Sequence, residues 1–107
     1  MVKLVAMFKR PDDPEAFDQA YFGTHLPLNA KTPGLRRTEV TRVTGTPRGD
    51  ESPWYVVTEM YYEDEAAMQA AFASPEATEA AKNLMSFARG LVTMYVAQVV
   101  DEGGKPA

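Results

Sequence analysis

The chain has 107 residues, of which 45% are apolar and 24% charged, and 15 acidic residues against 11 basic ones give a formal net charge of −4. This length suits a single domain, and the basic residues are too few and too dispersed for the basic stripe that nucleic-acid binding needs. The sequence contains no cysteine and one histidine, which excludes disulfides, thiolate chemistry and histidine-rich metal sites.

The N-terminus does not read as a targeting segment. Its apolar run is too short for a signal-peptide core, and Lys9 and Arg10 follow the run instead of preceding it. No stretch approaches the ~20 apolar residues of a membrane span. We therefore expect a cytoplasmic protein with neither a membrane nor a nucleic-acid partner.

The first elements in chain order are a strand and a helix. Residues 2–9 form an apolar run that predicts a strand. Asp13 suits the N-cap of the following helix, and Pro14 suits its first position, where a missing N–H has no consequence. Pro27 disfavours helical geometry at Leu26, so the helix should weaken there.

The rest of the chain predicts three strands and two further helices. In order, they are an edge strand over 35–44, a strand over 54–62, helices that begin after the caps Asp64 and Ser74, and a strand over 91–100. The order β-α-β-β-α-β predicts an α+β, ferredoxin-like domain over residues 1–100, with a four-stranded antiparallel sheet and its helices on one face. Residues 101–107 read as a flexible tail.

The central strands predict a partner for the other face of the sheet. In the first strand Leu4, Ala6 and Phe8 lie on one side, but Val5 and Met7 on the other side are apolar too. The last strand shows the same pattern. Helices can cover only one of these faces, and soluble monomers rarely leave so large an apolar patch in water. We therefore expect a homodimer that pairs through sheet faces.

His25 is the natural candidate for acid–base chemistry, because its ordinary pKa lies near neutrality. It stands four residues after Tyr21, so the two side chains share a helix face if the helix extends that far. The alternative is a structural histidine that bonds the turn before Pro33 and Gly34, or a solvated one.

Glu59 interrupts an apolar strand and is expected on the same side as Tyr55 and Tyr61. One explanation is an ion pair with Arg37 or Arg42 on the neighbouring strand. The other is a carboxylate placed against a substrate proton, with its pKa raised by apolar surroundings. The aromatic and methionine side chains also have two explanations, which are core packing and ligand contact.

The segment 21–28, followed by Pro33, Gly34 and Leu35, resembles the signature of the EthD family. In that family an aromatic residue, a histidine, a Pro-Leu pair and a Pro-Gly-Leu turn occur in this order. Residues 3–11 and 54–76 are similar to the family as well. The resemblance spans residues 2–100.

The resemblance implies a dimeric α+β barrel with a cavity between the helices and the sheet of each subunit. Family members are commonly labelled oxidoreductases, and related barrels include cofactor-free monooxygenases, muconolactone isomerases, polyketide cyclases and haem-degrading enzymes. The motif histidine falls on His25 and its aromatic neighbour on Tyr21 or Phe22. No Gly-rich nucleotide loop is present, so no nucleotide cofactor is expected. We expect no other cofactor.

Two hypotheses of function follow. In the first, the protein is a cofactor-independent oxidoreductase or monooxygenase, or an isomerase or cyclase, that acts on a small aromatic or apolar carbonyl compound. His25 would move a proton and Tyr21 would orient the substrate, and the candidate ligand contacts are Phe22, Glu59, Met60, Tyr61 and Phe87. In the second, it is a non-catalytic binding or accessory protein of a catabolic pathway. A buried, hydrogen-bonded His25 that faces a cavity beside Tyr21 would favour the enzyme.

Overall fold

The computed structural model describes residues 1–104. Its architecture is a four-stranded antiparallel sheet with helices on one face. The strands are β1 (Val2–Lys9), β2 (Arg37–Arg42), β3 (Trp54–Tyr62) and β4 (Val92–Gln98), in the spatial order β2-β3-β1-β4. The helices are α1 (Pro14–Ala20), α2 (Leu26–Asn29), α3 (Glu65–Phe72) and α4 (Pro75–Ala88). This order confirms the ferredoxin-like α+β fold, with the polar β2 at an edge. The end of the expected tail, residues 105–107, lies outside the described residues.

The helices begin where the capping residues predict. The Asp13 side chain accepts a hydrogen bond from the backbone N–H of Ala16, at 3.1 Å, and starts α1. Asp64 and Ser74 cap α3 and α4 in the same way, each by accepting from a backbone N–H three residues later. At the far end of α4, Gly90 adopts a positive φ of 81°, which a residue with a side chain rarely adopts.

The expectation that Pro27 would disfavour helical geometry at Leu26 and weaken the helix there was wrong. Leu26 is helical, with φ −60° and ψ −41°, and the chain stays helical to Asn29. A π-helical turn over Tyr21–His25 precedes it, in which the Leu26 N–H bonds the Tyr21 carbonyl five residues back. Proline lacks an N–H and its ring crowds the preceding turn, so a wider turn at this point accommodates it. As a result, His25 and Asn29 lie in one continuous helical segment.

The core lies between the helices and the even-numbered side chains of β1. Ala6 and Phe8 are 3% and 1% exposed there, and Phe8 meets the ring of Phe17 from α1. A second cluster lies under α3, around the fully buried Met68. The opposite face of the sheet carries no helix, and we call it the open face. Val5 and Met7 lie on it half-buried.

A bulge in β3 moves one predicted residue to the other face. Phe8 is opposite Val56 but Lys9 is opposite Trp54, so the register shifts there and Tyr55 is the extra residue. Tyr55 packs edge-on against Phe17, with ring centroids 5.7 Å apart. The expectation that Tyr55 shares a side with Glu59 was therefore wrong, because a bulge interrupts the alternation of side chains along a strand.

Glu59 pairs with a residue that sequence analysis did not consider. Lys3 of β1 donates to its carboxylate, and both side chains are about one-quarter exposed. The predicted pairing with Arg37 or Arg42 is wrong. Arg37 lies over the ring of Tyr61, 4.3 Å from its centre. Arg42 is opposite Val56 and so projects from the helix-covered face, where it pairs with the Asp18 carboxylate of α1.

Within residues 1–104, no helix combines the length and the apolar character needed to cross a membrane.

Candidate active site

A cavity of about 310 Å³ lies between the helices and the sheet face that they cover. Such a volume suits a small organic molecule. Most of the wall is apolar and comes from Leu4, Ala6, Phe8, Met60, Phe72, Ala77, Ala80, Ala81, Leu84 and Met94. The polar groups of the wall belong to Tyr21, His25, Asn29, Thr32 and Tyr62. An apolar site with a few polar side chains is the usual character of a small-molecule pocket.

His25 is buried at this wall between two side-chain amides. It is 3% exposed. Its Nδ1 lies 3.2 Å from Oδ1 of Asn83, and its Nε2 lies 3.3 Å from Nδ2 of Asn29. An amide oxygen can only accept and an amide nitrogen can only donate. The ring therefore carries its proton on Nδ1 and accepts at Nε2, which is the neutral form with its basic lone pair on Nε2.

The surroundings of His25 favour this neutral form. Burial lowers the pKa of His25, and the hydrogen bond to Asn83 opposes the effect in part. The imidazole stacks on the ring of Tyr21 at 5.5 Å and meets the ring of Phe87 edge-on at 6.1 Å. Among residues 1–104, His25 takes part in no ion pair. At neutral pH the ring is uncharged and able to accept a proton.

Tyr21 is held from the sheet below it. Its side chain is 1% exposed, and its hydroxyl hydrogen-bonds the hydroxyl of Thr58, which is fully buried on β3. Burial raises the pKa of Tyr21 to about 12. The phenol is thus neutral, and it fixes the surface against which His25 stacks.

Asn29 and Asn83 complete the site, and sequence analysis missed both. Asn29 follows His25 by four residues, so the continued helix brings the two side chains together. Asn83 is an internal residue of α4, next to the buried Leu84 of its inner face. An asparagine is unfavourable inside a helix, and its place beside an apolar stripe was the available signal.

The structure brings together some of the predicted ligand contacts. Met60 lines the cavity. Phe87 packs against the rings of His25 and Tyr21 from behind the wall. Together with the histidine and the tyrosine, these residues form one cluster on the helix-covered face.

The other predicted contacts lie elsewhere. Phe22 is 41% exposed and touches Tyr21 from the outer side. Glu59 and Tyr61 are on the open face, where Lys3 contacts both of them. A strand displays alternate residues on opposite faces, so neither can share the cavity with Met60. Within residues 1–104, no three His, Cys, Asp or Glu side chains converge as they would to hold a metal ion.

The fold and the site together define a small ferredoxin-like α+β protein with a ligand-sized cavity between its helices and its sheet. The profile of the EthD domain matches residues 9–90. A protein of Rhodococcus erythropolis, described as an uncharacterized 11.0 kDa protein in the thcB-thcC intergenic region, is 34% identical over 94 residues, 88% of this chain and 90% of that protein. The chain belongs to the EthD family.

Solved structures share the fold of this chain. The crystal structure of an EthD family protein from Bacillus halodurans is 43% identical, covers 94% of this chain and 99% of its own, and superimposes with a TM-score of 0.89. SnoaB, a cofactor-independent oxygenase from Streptomyces nogalater, shares the fold at 22% identity, over 99% and 97% of the two chains, with a TM-score of 0.65. A dimeric ferredoxin-like protein from Thermobifida fusca shares it at 15% identity, over 92% and 90%, with a TM-score of 0.67.

The buried pair of Tyr21 and Thr58 hydroxyls gives the first prediction. Tyr21→Phe leaves the Thr58 hydroxyl without its partner, so the free energy of unfolding should fall by about 1–3 kcal/mol. Thr58→Val should have a similar effect, and the double variant should lose less than the sum of the two. Urea denaturation of all four proteins measures the coupling. If the losses in unfolding free energy of the two single variants add up to that of the double variant, the hydrogen bond is contradicted.

The low pKa of His25 gives a prediction for stability. The pKa is lower in the folded protein than the ordinary 6.5 of an unfolded chain, so between the two values the unfolded state binds more protons and stability rises with pH. The wild type should therefore lose stability as the pH falls below about 6.5, until the pH reaches the folded pKa.

His25→Gln should remove that component of the pH dependence. Urea denaturation at pH 7.5 and 5.5 isolates the effect as the difference between the two proteins, since the sequence has one histidine. Equal pH dependence in both proteins would contradict a neutral, buried His25.

Proposed function

We propose that this protein is an enzyme in which His25 acts as a general base on a small aromatic or apolar carbonyl compound, without a nucleotide cofactor. The observation that supports this is a neutral, buried imidazole at the wall of an apolar cavity, with its proton on Nδ1 and its lone pair on Nε2. A base with a pKa near or below neutrality is unprotonated in its resting state and ready to accept a proton.

The reaction step that fits is removal of a proton next to a carbonyl group or from a phenol. Once the Asn29 N–H has moved off its lone pair, Nε2 of His25 takes the proton, and the electron pair of the broken bond moves onto the substrate oxygen. That oxygen then needs hydrogen-bond donors. Thr32 and Tyr62 line the cavity, and within residues 1–104 neither side-chain hydroxyl makes a hydrogen bond. Burial raises the pKa of Tyr62, which keeps its phenol protonated as a donor.

The same first step serves both of the reaction types expected. In an isomerase or cyclase, the protonated His25 returns the proton to a different atom of the rearranged substrate. In an oxygenase, the carbanion reacts with dioxygen as the second substrate. The likeness in fold to SnoaB, a cofactor-independent oxygenase, makes oxygenation worth measuring alongside exchange.

The other candidate residues have supporting places in this proposal. Tyr21 holds the imidazole plane by stacking. Met60 contacts the apolar part of the substrate, and Phe87 backs the imidazole. The proposed substrate site does not include Phe22, Glu59 or Tyr61. Phe22 lies on the outer side of Tyr21, and the other two lie on the open face.

Hydrogen–deuterium exchange tests the proton transfer without knowledge of the natural product. With 1-indanone or 2-tetralone in D₂O and no oxygen, the wild type should exchange the proton next to the carbonyl about 10²–10⁴-fold faster than buffer. His25→Gln should reduce the rate to that of buffer, whereas Gln69→Ala, on the exposed side of α3, should not. Repeating the measurement with an oxygen electrode separates oxygenation from simple exchange.

The outcome that contradicts the proposal is equally measurable. If the ketone shifts the NMR signals of cavity residues in wild type and His25→Gln alike, and neither protein exchanges deuterium above buffer, the protein binds without catalysis. The hypothesis of a binding or accessory protein would then replace the enzyme.

We also propose that two copies pair through their open faces. Val5, Met7 and Val57 lie there half-buried, and Tyr95 of β4 remains 57% exposed. Exposed apolar side chains grouped on one face favour a covering partner, and a second copy is the simplest one. The dimeric state of the Thermobifida fusca protein supports this choice by likeness of fold.

Val5→Lys tests the pairing. It places a charge in the middle of the open face, next to Lys3 along the strand, and should convert a dimer into a monomer of 11.8 kDa. Gln69→Lys adds the same charge to the helical side and should leave the mass unchanged. Sedimentation equilibrium gives the masses. A wild-type monomer, or a Val5→Lys protein that stays dimeric, would contradict the proposed interface.

A further inference from the structure

The chain contains two asparagines, Asn29 and Asn83, and one histidine. Both asparagine side chains contact that histidine, one on each ring nitrogen. They come from different helices, α2 and α4, and Asn83 is 58 residues away from His25 in sequence. The two amides differ in position, because Asn29 lines the cavity and Asn83 does not.

Both ring nitrogens of His25 have a matching hydrogen-bond partner when the ring is neutral, but not when it is protonated. In the neutral form, Nδ1–H donates to the Asn83 oxygen and Nε2 accepts from the Asn29 amide nitrogen. Once Nε2 takes a proton it becomes a donor and faces another donor. Asn83 still accepts from Nδ1–H, so the conflict arises at Asn29 alone.

A half-turn of the Asn29 amide resolves the conflict. It would place Oδ1 where Nδ2 now lies, so that the amide accepts from Nε2–H. Within residues 1–104 the Asn29 side chain makes one hydrogen bond, the one to His25, so this rotation breaks no other. The remaining ionisable group packed against His25 is the Tyr21 phenol, which stays neutral at any pH of interest.

We infer that Asn29 is a positioning residue that serves both protonation states of His25, donating to the neutral base and, after rotating, accepting from the imidazolium. Asn83 holds the Nδ1 proton throughout. The inference rests on the proposed function, because it explains how a buried base accepts a proton without a carboxylate beside it. A hydrogen bond to a charged group is stronger than one between neutral groups, so the rotated amide favours the protonated ring.

The experiment uses the ligand-free protein with ¹⁵N-labelled histidine. NMR at high pH should show the wild-type ring with its proton on Nδ1, and titration gives the pKa of His25. Asn29→Leu removes the acceptor and should lower that pKa while the Nδ1 proton stays, because Asn83 is intact. Asn29→Asp supplies a permanent acceptor with a negative charge in the same shape, and should raise it. Asn83→Leu should produce a mixture of the two neutral tautomers.

Two results would overturn the inference. One is a wild-type ring with its proton on Nε2 at high pH. The other is a His25 pKa that is unchanged in both Asn29 variants. If Asn29→Leu does not fold, the wild-type tautomer and the near-isosteric Asn29→Asp still decide the question.

Deuterium exchange with the same ketones then connects the positioning to turnover. Asn29→Leu should lower kcat roughly tenfold with little effect on KM, since the amide acts on the base. Asn29→Asp should shift the acid limb of the pH–rate profile to higher pH. Absence of exchange in the wild type would contradict the proposed function, whereas the NMR result alone decides the role of Asn29.

Discussion

The burial of one imidazole between two amides is the constraint on which the rest of the site depends. A buried polar ring needs partners for both nitrogens, and here they come from α2 and α4. The π-helical turn before Pro27 keeps Asn29 in the same continuous helical segment as His25. Tyr21 lies beneath the ring and is bonded to Thr58 of β3. Helices and sheet are thus connected through a single cluster.

The two faces of the sheet carry different residues because of the geometry of a strand. Side chains alternate along a strand, so Met60 reaches the cavity while Glu59 and Tyr61 are directed to the open face. The ion pair of Glu59 with Lys3 occupies that open face together with apolar side chains. The proposed chemistry and the proposed association therefore do not compete for the same residues.

Membership of the EthD family defines the fold of this chain, but a shared fold does not determine a reaction. SnoaB shares this fold at 22% identity, so the likeness concerns the fold alone. The proposed proton transfer rests on a neutral His25 with its proton on Nδ1 and on an apolar cavity wall.

The local sequence determined the elements and the topology. Asp13, Asp64 and Ser74 cap their helices by contacts only three residues long, and apolar patterning placed the four strands. The presence of one histidine, four residues after Tyr21, also singled out His25 and Tyr21. Only the tertiary structure decided that Asn83 meets His25, that Thr58 holds Tyr21 and that Lys3 pairs with Glu59, because these partners are 37 to 58 residues apart. Local patterns specify which face of an element is buried, but partners across that interface depend on register and on the β3 bulge, which arise only when the elements pack.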